Sequence, residues 1–508
     1  MKKQFILTID QSTSGTKAIL FNCAGEIIAK TSFPHTQIYP QPGWVEHNPI
    51  EIYDNVMLAA LSVLEIGGIT PDKLAALTIT NQRETAVIWD AVTGLPVHPA
   101  IVWQCQRTAD TCEVLKNAGF EKLIQSKAGL LLDPYFSASK WSWILQHIPA
   151  AAEKLLQGRL LAGTIDSWLL WKLTGGKTHA TDYTNASRTS LFNIHTLQWD
   201  EELCALFKVP ISILPEVKNS DECFGYTDPS GFFGLEIPIT GIIGDSQAAL
   251  FGNHCFEIGS AKATFGTGTS VMMNVGEHCH ASERGLVAAI AWGMSGKITY
   301  ALEAVIRTTG DSLNWLRDNM GLFSTFEEME VLSKETPACE GVYLVPAFVG
   351  LGAPYWDSHA RAAITGINRS TRKGHIVRAA LESIAYQVKD AVILMQSSSG
   401  INLNKLYVDG GASGNATLMQ FQADMLGTQV IKSGIAEVSA LGSMYLGGIY
   451  TGWWSSAKEI VSQSGLGNIY DSKMEIEQRE VNYAGWKRAV TSVLVERTEC
   501  TIMPSHHL

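Results

Sequence analysis

An α/β protein built from two related halves is predicted by three features of this 508-residue chain. Apolar runs of strand length alternate with helical ones. A hairpin with a hydroxyl-rich tip occurs near the start and recurs about half a chain later. The length also exceeds what one hydrophobic core sustains, so two large domains are expected.

Taken in order, "FILTID" (Phe5–Asp10) reads as a buried strand, "QSTSGT" as a flexible tip, and "KAILFN" (Lys17–Asn22) as the returning strand. "IPITGII" is a second buried strand, and "GDSQAALFG" (Gly244–Gly252) turns it into a short helix. The hairpin design returns as "AKATF" (Ala261–Phe265), "GTGTS" (Gly266–Ser270) and "VMMNV" (Val271–Val275). His375–Gln396 has apolar residues at spacings of three and four and charges on the other face, the pattern of an amphipathic helix. A third small-residue loop, Asp409–Ala416, follows "KLYV" and opens the helix "TLMQFQADML". The uncharged run Val438–Ala457 is rich in Gly and Ser; it reads as a buried helix packed through small residues, then a turn. The division is placed near residue 254, giving domains 1–254 and 255–508. No low-complexity linker marks it, so the halves are expected to pack tightly around a cleft.

Composition excludes several classes. A net charge of -11 offers no sustained basic face, which argues against a nucleic-acid partner but not against one small anion. The nine cysteines are odd in number and scattered, with no C-x-x-C. They read as free thiols in a reducing cytoplasm rather than a disulfide framework. His278-Cys279-His280 has no second ligand pair at a useful spacing, so a metal centre is not expected there. "MKKQFILTID" is too short in its apolar part for a signal peptide, and no stable membrane insertion is expected.

Tips such as "QSTSGTK" and "GTGTS" suit phosphate. Glycine admits backbone N–H groups to an anion, hydroxyls add donors, and Lys17 adds charge. One such tip alone reads rather as an ordinary polar hairpin; two, together with a glycine-rich strand-to-helix turn, favour phosphate. There is no G-x-x-x-x-G-K-[ST], and a strand rather than a helix follows "GTGTSV", so neither a Walker loop nor a Rossmann site is expected.

Longer motifs carry a family resemblance. "IYPQPGWVEHNP", "TNQRET", "AIVWQCQRT", "DYTNASRTSLFNIHTLQWD", "GLGAPYWD" and "DGGASGNATLMQFQADMLG" closely resemble the glycerol kinases of the FGGY carbohydrate kinase family. "YFSASKWSWIL" (Tyr135–Leu145) is similar to that family's first signature. The resemblance runs from about residue 4 to about residue 490. It implies the two-domain ribonuclease H-like fold of hexokinase, Hsp70 and actin, with ATP in the cleft and γ-phosphoryl transfer to a polyol hydroxyl. By matching motif, Asp245 is the general base, and Arg83, Glu84, Trp103 and Tyr135 bind the polyol. That set is chemically sensible, since adjacent hydroxyls and a CH edge need a charged donor, a charged acceptor, a phenol and a flat wall. Thr13, Ser14 and Lys17 match the first phosphate hairpin, and Thr267 matches the second. Gly310, Asn314, Gly411 and Asn415 match the nucleotide loops. Asp10 and Asp245 match positions near a Mg2+ bridging the phosphates. Closure over both substrates and a homo-oligomer, dimer or tetramer, are also implied.

Without the family these residues have plainer readings. Asp245 or Ser246 would be a helix N-cap. Adjacent Arg83 and Glu84 would be a solvated surface pair, and Trp103 would be core.

The chain also departs from the family pattern. Glycerol kinases usually read "GDQQAALFG" where this chain has Ser246, and place an aromatic residue where it has Ser270. Two small serines imply a roomier, more polar acceptor pocket. Two readings of the acceptor therefore stay open: glycerol, or a longer polyol or ketose such as erythritol, threitol, xylulose or ribulose. "DQSTSGTKA" has an ending similar to xylulose kinases, with Lys17 in place of a bidentate arginine. Asn314 stands where many members have Gln. The loop Asp228–Pro238 has no Arg, Lys or His, so neither sugar-bisphosphate nor phosphohistidine control is expected. A reading from another class, a non-enzymatic nucleotide-gated binding protein, would have no need of all five of Asp245, Arg83, Glu84, Trp103 and Tyr135.

Overall fold

The computed structural model describes residues 4–280, 285–463 and 467–494. Two mixed sheets organise them. The first is built from β1 (Phe5–Gln11), β2 (Gly15–Asn22), β3 (Ile27–Pro34), β4 (Leu74–Asn81), β5 (Gly225–Tyr226) and β6 (Pro238–Gly244). The second contains β7 (Ser260–Phe265), β8 (Thr269–Gly276), β9 (Val287–Met294), β10 (Lys297–Ile306), β11 (Lys405–Gly410), β12 (Val430–Lys432) and β13 (Asn468–Tyr470). The principal helices are α1 (Pro49–Gly67), α2 (Asp245–Gly252), α3 (Gly310–Asp318), α4 (Phe326–Glu335), α5 (Lys373–Ser399), α6 (Ala416–Leu426) and α7 (Val438–Tyr450).

In space the first sheet runs β3-β2-β1-β4-β6-β5, and the second runs β9-β10-β8-β7-β11-β12-β13. From β3 the pairings are antiparallel, antiparallel, parallel, parallel, antiparallel. From β10 the same series recurs, with β9 added at the edge. The repeated hairpin in the sequence is thus the visible part of a repeated sheet. Parallel strands bury both faces under helices, so β1 and β4 are buried almost without a break rather than on alternate residues.

Local signals set the helix ends. Asn48 caps α1 by accepting the Ile50 N–H at 3.0 Å, Pro49 occupies its first turn, and Gly68 ends it in a left-handed conformation. The second hairpin is tighter than its sequence implied. Only Gly266–Gly268 form the tip, while Thr269 and Ser270 already pair in the ladder.

Helix α7 is the uncharged run Val438–Tyr450, and it packs on the first sheet rather than the second. Leu441 and Met444 share a core with Ile6, Phe21, Ile243 and Leu250, and also with Met272 of the second sheet. Its small residues allow a close approach. A Cβ at Gly442 would overlap the Ala248 carbonyl of α2, and Ser443 Oγ donates to the Gly241 carbonyl at 2.6 Å. No described helix is long and apolar enough to cross a membrane. The eight cysteines among the described residues are unpaired; Cys500 lies outside them.

Gly442→Val should therefore drive α7 off α2. We expect a loss of about 3 kcal/mol, typical of overpacking a rigid backbone contact, read as a fall in the urea midpoint.

Candidate active site

Asp10, Arg83, Glu84, Asp245, Thr267 and Gly411 gather at the carboxyl ends of the central parallel strands of both sheets, while Trp103, Tyr135, Gly310 and Asn314 come from other segments. Asp10 lies at the end of β1 and pairs across the hairpin with Lys17. Arg83 and Glu84 follow β4, Asp245 follows β6, Thr267 follows β7 and Gly411 follows β11.

Asp245 is the first residue of α2, so the N-cap reading fails: Gly244 occupies the cap, with no side-chain bond. Instead the Asp245 carboxylate accepts the Ser246 N–H at 2.6 Å and faces Arg83 Nε at 3.2 Å, both through Oδ1. Its side chain remains 39 % exposed, whereas that of Arg83 is 5 % and that of Glu84 1 %. The acid therefore stands at the open side of a buried base plate. A Cβ at Gly244 would press on the Arg83 side chain, which explains glycine before the acid.

The surface-pair reading of Arg83 and Glu84 is overturned as well. Both are buried, and Glu84 holds φ at 60°, a left-handed conformation uncommon for a residue with a Cβ. Ser137 Oγ fixes the Glu84 carbonyl at 3.1 Å. Arg83 donates through Nη2 to Glu303 at 2.9 Å and through Nη1 to Gln247 at 3.1 Å. Glu84 accepts from Arg188 Nε at 2.6 Å, and Arg188 Nη1 pairs with Glu303 at 2.7 Å. Burial pushes the Glu84 carboxyl up, against the pull of Arg83 and Arg188. Burial acts on Glu303 too, but Arg188 and Arg83 override it and hold that carboxyl well below its ordinary range.

One wall is aromatic. The rings of Trp103 and Tyr135 meet at 5.3 Å in an edge-to-face arrangement, both half-buried rather than core. Burial, then the nearby Glu84, raises the Tyr135 phenol, so it stays a donor. Trp103 Nε1 donates to Thr13 Oγ1 at 2.9 Å, tying this wall to the first hairpin. Behind Tyr135, the buried Lys140 ammonium caps the carbonyls of Pro134, Tyr135 and Phe136 at 2.7, 2.5 and 2.9 Å. Ser270, on β8, donates to Glu303 at 3.1 Å and accepts from Lys262 at 3.3 Å, so this side of the site is polar. Ser246 lies beside Asp245 at the start of α2.

The first hairpin is more occupied than its sequence implied. Lys17 pairs with Glu437 at 2.7 Å, just before α7, and Lys30 joins at 3.2 Å. Burial raises Asp10 to about 6; Lys17 opposes this, and Asp245 and Glu437 add to it. Ser14 is exposed at the tip.

A cavity of about 450 Å³ opens beside the second hairpin. Thr267, Gly310, Asn314, Gly411 and Asn415 all line it. Asn415 also caps α6, accepting the Leu418 N–H at 2.8 Å. Sequence reasoning missed the apolar side of this cavity: Leu313, Phe326 and Met329. Helix α4, "FEEMEVLSKE", reads as a solvated helix, and its two apolar lining residues carry no motif. Reasoning also missed Arg188, Lys262, Glu303 and Glu437. A lone carboxylate inside the apolar run Tyr300–Ile306 is the signal that points to Glu303.

Comparison with known proteins accords with this arrangement. Residues 5–252 match the N-terminal domain, and residues 261–450 the C-terminal domain, of the FGGY family of carbohydrate kinases. The chain is 50% identical over 492 residues to a glycerol kinase of Geobacillus sp., covering 97% of this chain and 99% of that one. It is 51% identical over 487 residues to a glycerol kinase of Caldanaerobacter subterraneus, covering 96% and 98%. The structure superposes on Plasmodium falciparum glycerol kinase with ADP at a TM-score of 0.92 and 37% identity, over 97% and 99% of the chains. A gluconate kinase from Lactobacillus acidophilus shares the fold at a TM-score of 0.86 and 20% identity, over 96% and 97%. On sequence, topology and site alike, this chain belongs to the FGGY family of carbohydrate kinases.

Proposed function

We propose that the protein is an ATP-dependent glycerol kinase, forming glycerol 3-phosphate and ADP. One observation carries the reading: an accessible Asp245 carboxylate, anchored through one oxygen by Arg83, beside Glu84 and the Trp103–Tyr135 wall. Near-full-length similarity to glycerol kinases supports it. We assign the acceptor site to Arg83, Glu84, Trp103, Tyr135, Ser246 and Ser270. We assign the nucleotide to Thr13, Ser14, Lys17, Thr267, Gly310, Asn314, Gly411 and Asn415. The division near residue 254 and a cytoplasmic setting belong to the same proposal; unpaired cysteines support the setting.

In this mechanism Glu84 accepts from one acceptor hydroxyl and Arg83 donates to another, while Trp103 and Tyr135 cover the CH edge. The attacking hydroxyl then points at Asp245. Because Ser246 N–H and Arg83 both hold Oδ1, Oδ2 takes the proton as the new O–P bond forms and the β,γ-bridging P–O bond of ATP breaks, with ADP as the leaving group. Lys17 exchanges Glu437 for a phosphate oxygen, and closure of the cleft keeps water from the γ-phosphate.

The donor set fits Mg2+. Asp10 and Asp245 are hard oxygen donors, and a cation would offset the burial, and the smaller repulsion from Asp245 and Glu437, that raise Asp10. Among the described residues no three-residue metal cluster exists, in keeping with an ion completed by phosphates and water. When bound, it would neutralise phosphate charge.

A second acceptor reading, a longer polyol or ketose, is favoured by the polar Ser270 side of the site. ADP release with Mg-ATP against glycerol, erythritol, threitol, xylulose and ribulose decides between them. We expect the highest kcat/KM with glycerol; a longer acceptor in first place would overturn that assignment. Asp245→Asn should lower turnover by about 10²–10⁴-fold while nucleotide binding persists.

The raised Asp10 predicts a trade of stability for function. Its folded-state pKa of about 6 exceeds the ordinary 3.8, so the ionised form costs stability that is lost as pH rises from about 4 to 6. At pH 8, Asp10→Asn should raise the melting temperature of the nucleotide-free protein and abolish Mg2+-dependent nucleotide binding.

A further inference from the structure

We propose that Glu303 is the positioning residue of the acceptor site, acting through Arg83 and Arg188. This rests on the glycerol-kinase reading of the same site.

Glu303 lies on β10 of the second sheet and has no exposed surface. Its two oxygens accept hydrogen bonds from Arg83 Nη2 at 2.9 Å, Arg83 Nη1 at 3.4 Å and Ser270 Oγ at 3.1 Å, and one of them forms an ion pair with Arg188 Nη1 at 2.7 Å that lacks hydrogen-bond alignment. Both arginines come from the first half of the chain. Each turns a remaining Nε to an acid of the acceptor site: Arg83 to Asp245 at 3.2 Å, and Arg188 to Glu84 at 2.6 Å. One buried carboxylate thus sets the pose of every charged group proposed to meet the polyol, without lining the site itself.

Two consequences follow from the chemistry. A guanidinium presents five donors and favours a two-bond fork with a carboxylate. With Glu303 and Gln247 engaging both terminal nitrogens, Arg83 reaches Asp245 through Nε alone. Without Glu303 the fork is released to grip Asp245 with two bonds, removing the donor meant for the substrate and occupying the base. Arg83, Arg188 and Lys262 face Glu84, Glu303 and Asp245, and Asp409 is the largest charge partner of Lys262. Deleting Glu303 removes the one anion that both arginines share.

The test uses the full chain and three variants. Glu303→Asp keeps the charge but withdraws it by one methylene, so it cannot reach both arginines. Glu303→Gln removes the charge. The double variant Glu303→Gln with Arg188→Met removes one charge of each sign and guards against a single variant that fails to fold. Wild-type turnover of glycerol is measured first; should another acceptor be preferred, that one is used throughout, so a wrong substrate does not masquerade as a wrong role. We expect each folded variant to raise the acceptor KM about tenfold or more, as for losing a charge-assisted contact, with the ATP KM within about twofold. Calorimetric acceptor binding should fall in parallel. Unchanged acceptor affinity in Glu303→Asp or the double variant, or equal loss for acceptor and ATP, would overturn the proposal and reduce Glu303 to a packing role.

Discussion

Everything at the centre of this protein depends on burying four charged side chains together: Arg83, Glu84, Arg188 and Glu303. Taking such groups out of water costs several kcal/mol each, recovered only when every one finds a partner of opposite sign and good geometry. That requirement fixes the relation of the two sheets, because Glu303 belongs to the second and both arginines come before residue 254. It also explains the left-handed backbone at Glu84 and the glycine at 244, which make room for the arginine. A hydrophobic replacement would stabilise the fold as well or better. The lattice is kept for what it presents at its open side, where the Asp245 carboxylate stands.

The sheets supply the address. Each ends its central parallel strands at the same edge, and each folds its first two strands into a hairpin with a hydroxylated tip. The cavity lies beside the second tip, with α3 and α4 on one side and the start of α6 on the other. The first hairpin meets the aromatic wall through Trp103 and Thr13, so the wall and the hairpin tip share one frame. Helix α7 crosses back to the first sheet and brings Glu437 to Lys17.

That last contact has a physical logic. A lysine in a partly buried hairpin would be costly to leave unpaired. Glu437 holds it, and Lys30 shares the same carboxylate. The arrangement raises the Lys17 ammonium through its bond to Glu437, against the effect of burial, so it stays charged.

By itself the sequence determined the strands, both hairpins, the buried small-residue helix and the positions of the motif residues. These are local or periodic properties: glycine at tips, alternation lost in parallel strands, small residues where helices touch. Thr267, Gly310, Asn314, Gly411 and Asn415 line one cavity. Only the tertiary structure decided that Arg83 and Glu84 are buried and that Asp245 is not an N-cap. It alone brought Arg188, Lys262 and Glu303 together with Arg83, Glu84 and Ser270. A charge in a strand or loop reads as solvated unless its partner is known, and here the partners lie 104 and 220 residues away. Pairing at that distance is set by how the two sheets meet, which no window of sequence contains.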